Sequence, residues 1–306
     1  MRKMIAISVM CGLAAVWGGV SLAQTGAGSG QRPAITGIAF MRVYAADRDA
    51  SAAFYDHDLG FVREQGKAFD RYAVSESQWV EVAPLPSPAP AARLAAVGFT
   101  TRDAAGLERY LRGHGVEIVE ARSHGAFAVR DPEGNLIYFV QTGVGKVPAK
   151  EFSARASAKR MIHVGFAVQS TAAEDRFYRE ILGFKPNWYG GHKEGTTDWV
   201  SLQVPEGSDW LEYMLNGGPH PDAKQLGVMD HFSLGVAQMS SVVDALAKNG
   251  CTSANCRKSQ MGLDGKVQLN VFDPDLTRVE FMEFKPSGTT CCSPILGKLP
   301  TDVEEQ

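Results

Sequence analysis

Runs of apolar residues with strand-like spacing alternate along this chain with amphipathic stretches that glycine closes. The pattern repeats. FYDHDLGF at 54–61 recurs as FYREILGF at 177–184. Each segment reads as the end of a helix stopped by a glycine, the residue that adopts a positive φ without strain. An apolar run precedes each one, Ile35 to Tyr44 and Met161 to Val168. A second pattern also occurs twice. Val97-Gly98-Phe99 leads to a helix ending LRGHG, then to the turn Asp131-Pro132-Glu133-Gly134 and the strand Leu136 to Val140. His231-Phe232-Ser233-Leu234 leads to a helix ending LAKNG, then to Asp273-Pro274-Asp275 and the strand Arg278 to Met282. The Asp-Pro segments predict β-turns entering a final strand.

These repeats predict four units, each a strand, a helix and three strands, with two units to a domain. One unit alone would leave an unpaired sheet edge and a bare apolar face. Pairing two closes the edge and curves the sheet, giving a concave side that can hold a site. The fold class expected is therefore α+β, four βαβββ modules in two domains with cupped mixed sheets. The first domain is placed at 35–145, the second at 158–286, and an irregular acidic tail at 287–306. Pro84 to Ala91 (PLPSPAPA) cannot be strand or helix interior and reads as a linker between units.

The N-terminus has its own pattern. Arg2 and Lys3 precede the uncharged apolar run Ile5 to Val20, and Ser21-Leu22-Ala23 places small residues before Gln24. That order predicts a signal peptide over 1–23, cleaved before Gln24, followed by a flexible lead-in over 24–34. The competing reading is an uncleaved anchor, for which the run falls just short of the roughly 20 residues of a span. Export implies a periplasmic or secreted protein with no membrane attachment after cleavage. Cys251, Cys256, Cys291 and Cys292 remain in the mature chain, and in that setting they read as disulfides. The expected tie joins the Cys251/Cys256 region to the tail at Cys291/Cys292. A zinc site from all four is disfavoured by spacing, C-x4-C followed by adjacent CC. The net charge of −3 leaves no general basic surface, so no nucleic-acid partner is expected. With 44% hydrophobic and 21% charged residues, a disordered or coiled-coil chain is excluded.

The motifs FYDHDLGF and FYREILGF, the paired RDPEGNLIYF and FDPDLTRVEF, and the strand openings MIHVGF and MDHFSL resemble the vicinal oxygen chelate superfamily. That superfamily includes glyoxalase I, extradiol dioxygenases, methylmalonyl-CoA epimerase and bleomycin resistance proteins. The likeness covers about residues 35 to 286. It implies metal ligands on the first and last strands of paired units, which here are His163, Glu212, His231 and Glu280. Each glutamate follows its histidine by 49 residues. Two imidazoles and two carboxylates suit a divalent ion, Fe, Mn, Ni, Co or Zn. Strand parity puts Trp210, Glu212 and Met214 on one face and Tyr213 on the other, while Glu283 falls opposite Glu280 and is expected to be exposed. The first domain holds Phe40, Glu81, Ala96 and Tyr138 at the matching positions and is expected to be metal-silent. His192 and His220 are expected on loops.

The resemblance leaves three chemistries open for a small-molecule substrate. The first is proton transfer (isomerase, epimerase or lyase type) on a substrate with neighbouring oxygens, with Glu212 or Glu280 as general base. The second is ring-cleaving dioxygenation by His163, His231 and Glu280, against which Glu212 counts if it occupies a fourth ligand position. The third is non-catalytic binding against Trp188, Tyr189, Trp199, Trp210 and Tyr213, residues that could equally be ordinary core. Export disfavours glutathione and coenzyme A substrates, and with them glyoxalase I itself.

Overall fold

The structure is a computed structural model that describes residues 30–147, 152–193 and 195–304. The signal-peptide reading and most of the lead-in lie outside the described residues.

Four units follow one another. The first comprises β1 (Ile35–Ala45), α1 (Arg48–Ala52), β2 (Val62–Glu64), β3 (Asp70–Ala73) and β4 (Trp79–Pro84). The second comprises β5 (Leu94–Thr101), α2 (Ala104–Gly113), β6 (Ile118–Ser123), β7 (Ala126–Arg130) and β8 (Leu136–Gln141). The third runs through β9 (Met161–Ala167), α3 (Thr171–Asp175), β10 (Lys185–Gly190), β11 (Trp199–Gln203) and β12 (Trp210–Met214). The fourth adds a helix the sequence reading did not assign, α4 (Ala223–Met229), before β13 (His231–Val236), α5 (Met239–Lys248), β14 (Ser259–Met261), β15 (Val267–Phe272) and β16 (Arg278–Glu283). Each pair of units shares one eight-stranded sheet, in the orders β2-β3-β4-β1-β5-β8-β7-β6 and β10-β11-β12-β9-β13-β16-β15-β14. The units join where β1 meets β5, and β9 meets β13, antiparallel. The fold is the α+β one expected.

Both repeated helices change character partway. α1 and α3 continue as π-helical turns over Ala53–Asp58 and Arg176–Ile181, and a glycine at φ 76° follows each (Gly60 and Gly183). The wide turn buries two neighbouring rings in each helix, Phe54 with Tyr55 and Phe177 with Tyr178. These rings join one hydrophobic core that runs through both domains.

The two repeated motifs dock onto each other across the domain boundary. Tyr55 of the first domain donates to Asp273 of the second (3.0 Å), and Tyr178 of the second donates to Asp131 of the first (3.2 Å). Next in each turn, Glu133 accepts from the backbone of Gln169 and Ser170, and Asp275 accepts from Ala46. A second exchange of the same kind pins the central strands. Met161 N donates to Gln78, and Ile38 N donates to Asp209. Buried polar groups need such partners, so the motifs that advertise the repeat also hold the halves together.

Two expectations are corrected. The disulfides are local, Cys251–Cys256 and Cys291–Cys292, and do not tie the last unit to the tail. Gly250, at φ 85°, and the short helical turn Ala254–Arg257 bring the first pair together. Backbone and side-chain hydrogen bonds hold the tail instead, among them Trp188 Nε1 to Cys291 O and Leu296 N to Asn187 O. Glu283 is half-buried, because its carboxylate accepts from Met239 N at the start of α5. Of the five aromatic residues weighed as a ligand wall, Tyr213 is core and Tyr189 is half exposed.

Candidate metal centre

Strand register assembles the site. His163 on β9 pairs with Trp210 on β12 and with Ser233 on β13, and Ser233 pairs in turn with Glu280 on β16. Two residues along β9, Gly165 lies between Glu212 on one side and His231 on the other. A Cβ at Gly165 would meet His231 Cε1 at 2.2 Å, so only glycine leaves room for the ring.

His163, His231 and Glu280 converge. Their ligand atoms all lie within 4.8 Å of one another, with 3.0 Å between the two Nε2 atoms and 3.1 Å from His163 Nε2 to Glu280 Oε2. Glu212 stands beside this trio without joining it, its Oε2 3.6 Å from His231 Nε2. All three members of the trio are buried.

Protonation follows from the surroundings. His231 Nδ1 donates to Met229 O at 2.7 Å, which directs the lone pair on Nε2 into the site. Met229 is the last residue of α4. Asp222 and Gln225 begin that helix with a capping box, so it carries the carbonyl that orients His231. Burial lowers the pKa of both imidazoles, and for His231 the charges of Arg278 and His163 add to it. Burial would raise Glu280, but the His163 contact and the charges of Arg278 and Lys266 outweigh it and leave it below the usual range. Glu212 is pushed up to about 8, first by burial and then by Glu280.

This donor set fits a divalent cation. Neutral imidazole and ionised carboxylate are the forms that bind metal. The two ring nitrogens face each other with His231 already committed as an acceptor, and His163 Nδ1 has no partner among the described residues. Separations near 3 Å are those of neighbouring ligand atoms bonded to one ion at about 2.1 Å.

Of the trio, Glu280 lines a cavity of about 780 Å³, together with Trp188, Trp199, Trp210, Met282 and the cations Lys266 and Arg278, while His163 and His231 are buried behind that wall. Trp210, Glu212 and Met214 all face it, as strand parity requires. His192 lines its rim, exposed and bonded to Asp198 at 2.8 Å. His220 is an exposed loop residue. Gly165, Met229, Lys266 and Arg278 were not singled out from sequence. Parity with Glu280 was the available signal for Arg278, two residues earlier.

In the first domain the matching residues do not form a ligand set. Phe40 stacks on Trp79, Tyr138 lies against Phe40, and Glu81 is taken by Arg42 at 2.6 Å.

Comparison with known proteins bears on the fold and the family. No protein of curated function matches the sequence. Among solved structures, a variant of homoprotocatechuate 2,3-dioxygenase from Brevibacterium fuscum aligns with a TM-score of 0.64 at 21% identity, covering 82% of this chain and 72% of its own. The enzyme from Arthrobacter globiformis gives 0.63 at 19% identity, covering 86% of each chain. The anaerobic Brevibacterium fuscum complex with 3,4-dihydroxyphenylacetate gives 0.61 at 20% identity, covering 82% and 81%. Residues 37–139 and 160–281 match one family, so the chain belongs to the Glyoxalase/Bleomycin resistance protein/Dioxygenase superfamily.

Proposed function

We propose that this chain is a metal-dependent enzyme that opens the ring of a small catechol-type substrate. One observation carries the reading: the ligand atoms of His163, His231 and Glu280 converge as a group, and Glu212 touches that group only at His231, 3.6 Å away. Two histidines and one carboxylate leave a face of the ion free for two adjacent oxygens and a further reactant. Bound there, divalent iron would supply a Lewis acid for the paired oxygens and the redox centre that dioxygen chemistry requires. The chain's own residues do the rest. Trp188, Trp199 and Trp210 offer flat walls for an aromatic ring, and Glu212 sits where it can take a hydroxyl proton. The likeness to homoprotocatechuate 2,3-dioxygenases supports the reading. The test is oxygen uptake by the iron-loaded protein with a panel of catechols, followed by absorbance of the ring-opened product. Uptake lost in Glu280→Ala is expected; no uptake with any catechol would reject the reading.

A second reading is proton transfer of the isomerase, epimerase or lyase type. A specific feature favours it, the second carboxylate beside the trio, which could serve as general base. Zinc- or nickel-loaded protein that exchanges a C–H next to a carbonyl in D₂O, without oxygen, would favour this reading over ring opening.

Export belongs to the same reading, and disulfide-bonded cysteines accord with it. Purified protein beginning at Gln24 would support it.

A further inference from the structure

Two cations share the concave face with the ligand trio, and they are not equivalent. Lys266 is matched: its ammonium lies 3.7 Å from Asp264 and over the Trp210 ring, 4.5 Å from the centroid. Arg278 is not. It stands two residues before Glu280 on β16, hence on the same face and roughly 7 Å along the strand. It lines the cavity, and its Nε is buried without an acceptor. Among the described residues, no carboxylate lies within ion-pair distance of its guanidinium. Most other half-buried arginines pair with a carboxylate, Arg42 with Glu81, Arg48 and Arg63 with Asp70, Arg93 with Asp275, whereas Arg71 bonds the backbone oxygen of Gly145 and lies over Trp79. The silent domain has Leu136 at the corresponding place.

A guanidinium facing a cavity with no ion pair has donors that the chain leaves unused, and its charge acts on Glu280 only from a distance. It is also a fork of donors suited to a planar anion. We propose that Arg278 is a specificity residue that binds a carboxylate carried by the substrate, while two adjacent oxygens of the same molecule face His163, His231 and Glu280. The second half of that statement rests on the function proposed above; the carboxylate subsite does not. A singly charged carboxylate matches the single charge of Arg278. A dianionic phosphate would bring surplus negative charge close to Glu280 and Glu212.

The three tryptophans lining the cavity provide the readout. Binding to the metal-loaded protein is followed by tryptophan fluorescence with 3,4-dihydroxyphenylacetate, its methyl ester, phenylacetate and phenyl phosphate. The wild type is expected to bind the acid at least about tenfold more tightly than the ester, as for a charge-assisted hydrogen bond. Arg278→Gln should bring that ratio below about twofold with the ester unaffected, and Arg278→Lys should keep part of the preference. Phenylacetate lacks the paired oxygens and should show the same dependence on Arg278. The subsite therefore survives even if no catechol is turned over. The absence of an acid-over-ester preference in the wild type would overturn the proposal without any variant. So would equal weakening of acid and ester in Arg278→Gln. Phenyl phosphate binding more tightly than phenylacetate would overturn the assignment to a carboxylate.

Discussion

The two cups share one backbone register and exchange large for small residues across it. In the first, Phe40 has Gly98 beside it, and Arg42 pairs with Ala96 across β1 and β5. In the second, Ser233 pairs with His163, and His231 pairs with Gly165. A Cβ at Gly98 would strike the Phe40 ring at 2.4 Å, as one at Gly165 would strike His231. Side-chain bulk thus moves from β1 in the first cup to β13 in the second, at the one pair that decides whether an imidazole can enter. The charges follow. Glu81 needs a cation and has Arg42, whose guanidinium also lies over Phe69 and Tyr138. Among the described residues, Glu280 has at ion-pair distance only a histidine whose burial favours the neutral form, with Arg278 and Lys266 acting from further off. The first half carries its positive charge in its own chain, whereas the second is arranged to receive one.

The sharpest way to break this comparison is Gly165→Ala. The ring of His231 cannot retreat, because its other nitrogen is held by Met229 O. Overpacking a rigid site costs about 1–3 kcal/mol. Ion affinity should therefore fall by up to about a hundredfold. Metal titration checks this, and a variant that binds the ion as tightly as the wild type does would show that the register is not what admits it.

A smaller effect is expected in the silent half. Arg42→Met leaves Glu81 buried without its cation, although Trp79 Nε1 still donates to it at 2.8 Å. Removing one partner of a buried pair typically costs several kcal/mol. With the tryptophan bond kept and Arg42 partly exposed, about 2 kcal/mol is expected. Urea unfolding measures the loss, and the metal content should not change. A change in metal content would mean that the two cups are coupled through the sheets.

Much of this was legible in the chain, and what was not has physical reasons. The FY and DP motifs announced four units because each is doubly constrained, by its own turn and by its partner across the domain boundary. His163, Glu212, His231 and Glu280 could be named because the superfamily resemblance points to the first and last strands of paired units, with which strand parity and an equal spacing agree. Their division into three and one could not, since it depends on ångström differences between side-chain tips. α4 escaped because Asp222 to Met229 is short and follows His220-Pro221, which reads as loop. The disulfide pairing escaped because spacing alone does not say which thiols a turn brings together. Arg278 looked like any charged residue at a strand start. Its meaning lies in the acceptor it lacks, and a sequence does not display missing partners.

The gentlest test concerns the helices that face the domain boundary. Glu174 on α3 and Ser51 on α1 occupy equivalent places in the FY repeat, and both are buried. Ser51 donates to Asp47 O and does not titrate. One oxygen of Glu174 accepts from Glu133 N at 2.9 Å and the other has no partner among the described residues. Burial, and after it the charge of Asp131, raises Glu174 to about 9. The folded chain therefore holds a proton on this group that the unfolded chain has already released above its ordinary value of 4.5. Between those limits the folded state binds the extra proton, so stability falls as pH rises, by about 1.4 kcal/mol per pH unit for one proton. Asp131, raised to about 6, steepens the slope only at the acid end. Glu212, raised to about 8, adds to the decline over the same range. Urea unfolding at pH 7 and pH 8 should thus show a decline in the wild type that Glu174→Gln cuts by roughly half, while Ser51→Ala leaves it in place. An undiminished decline in Glu174→Gln would move its source from this boundary to another buried acid.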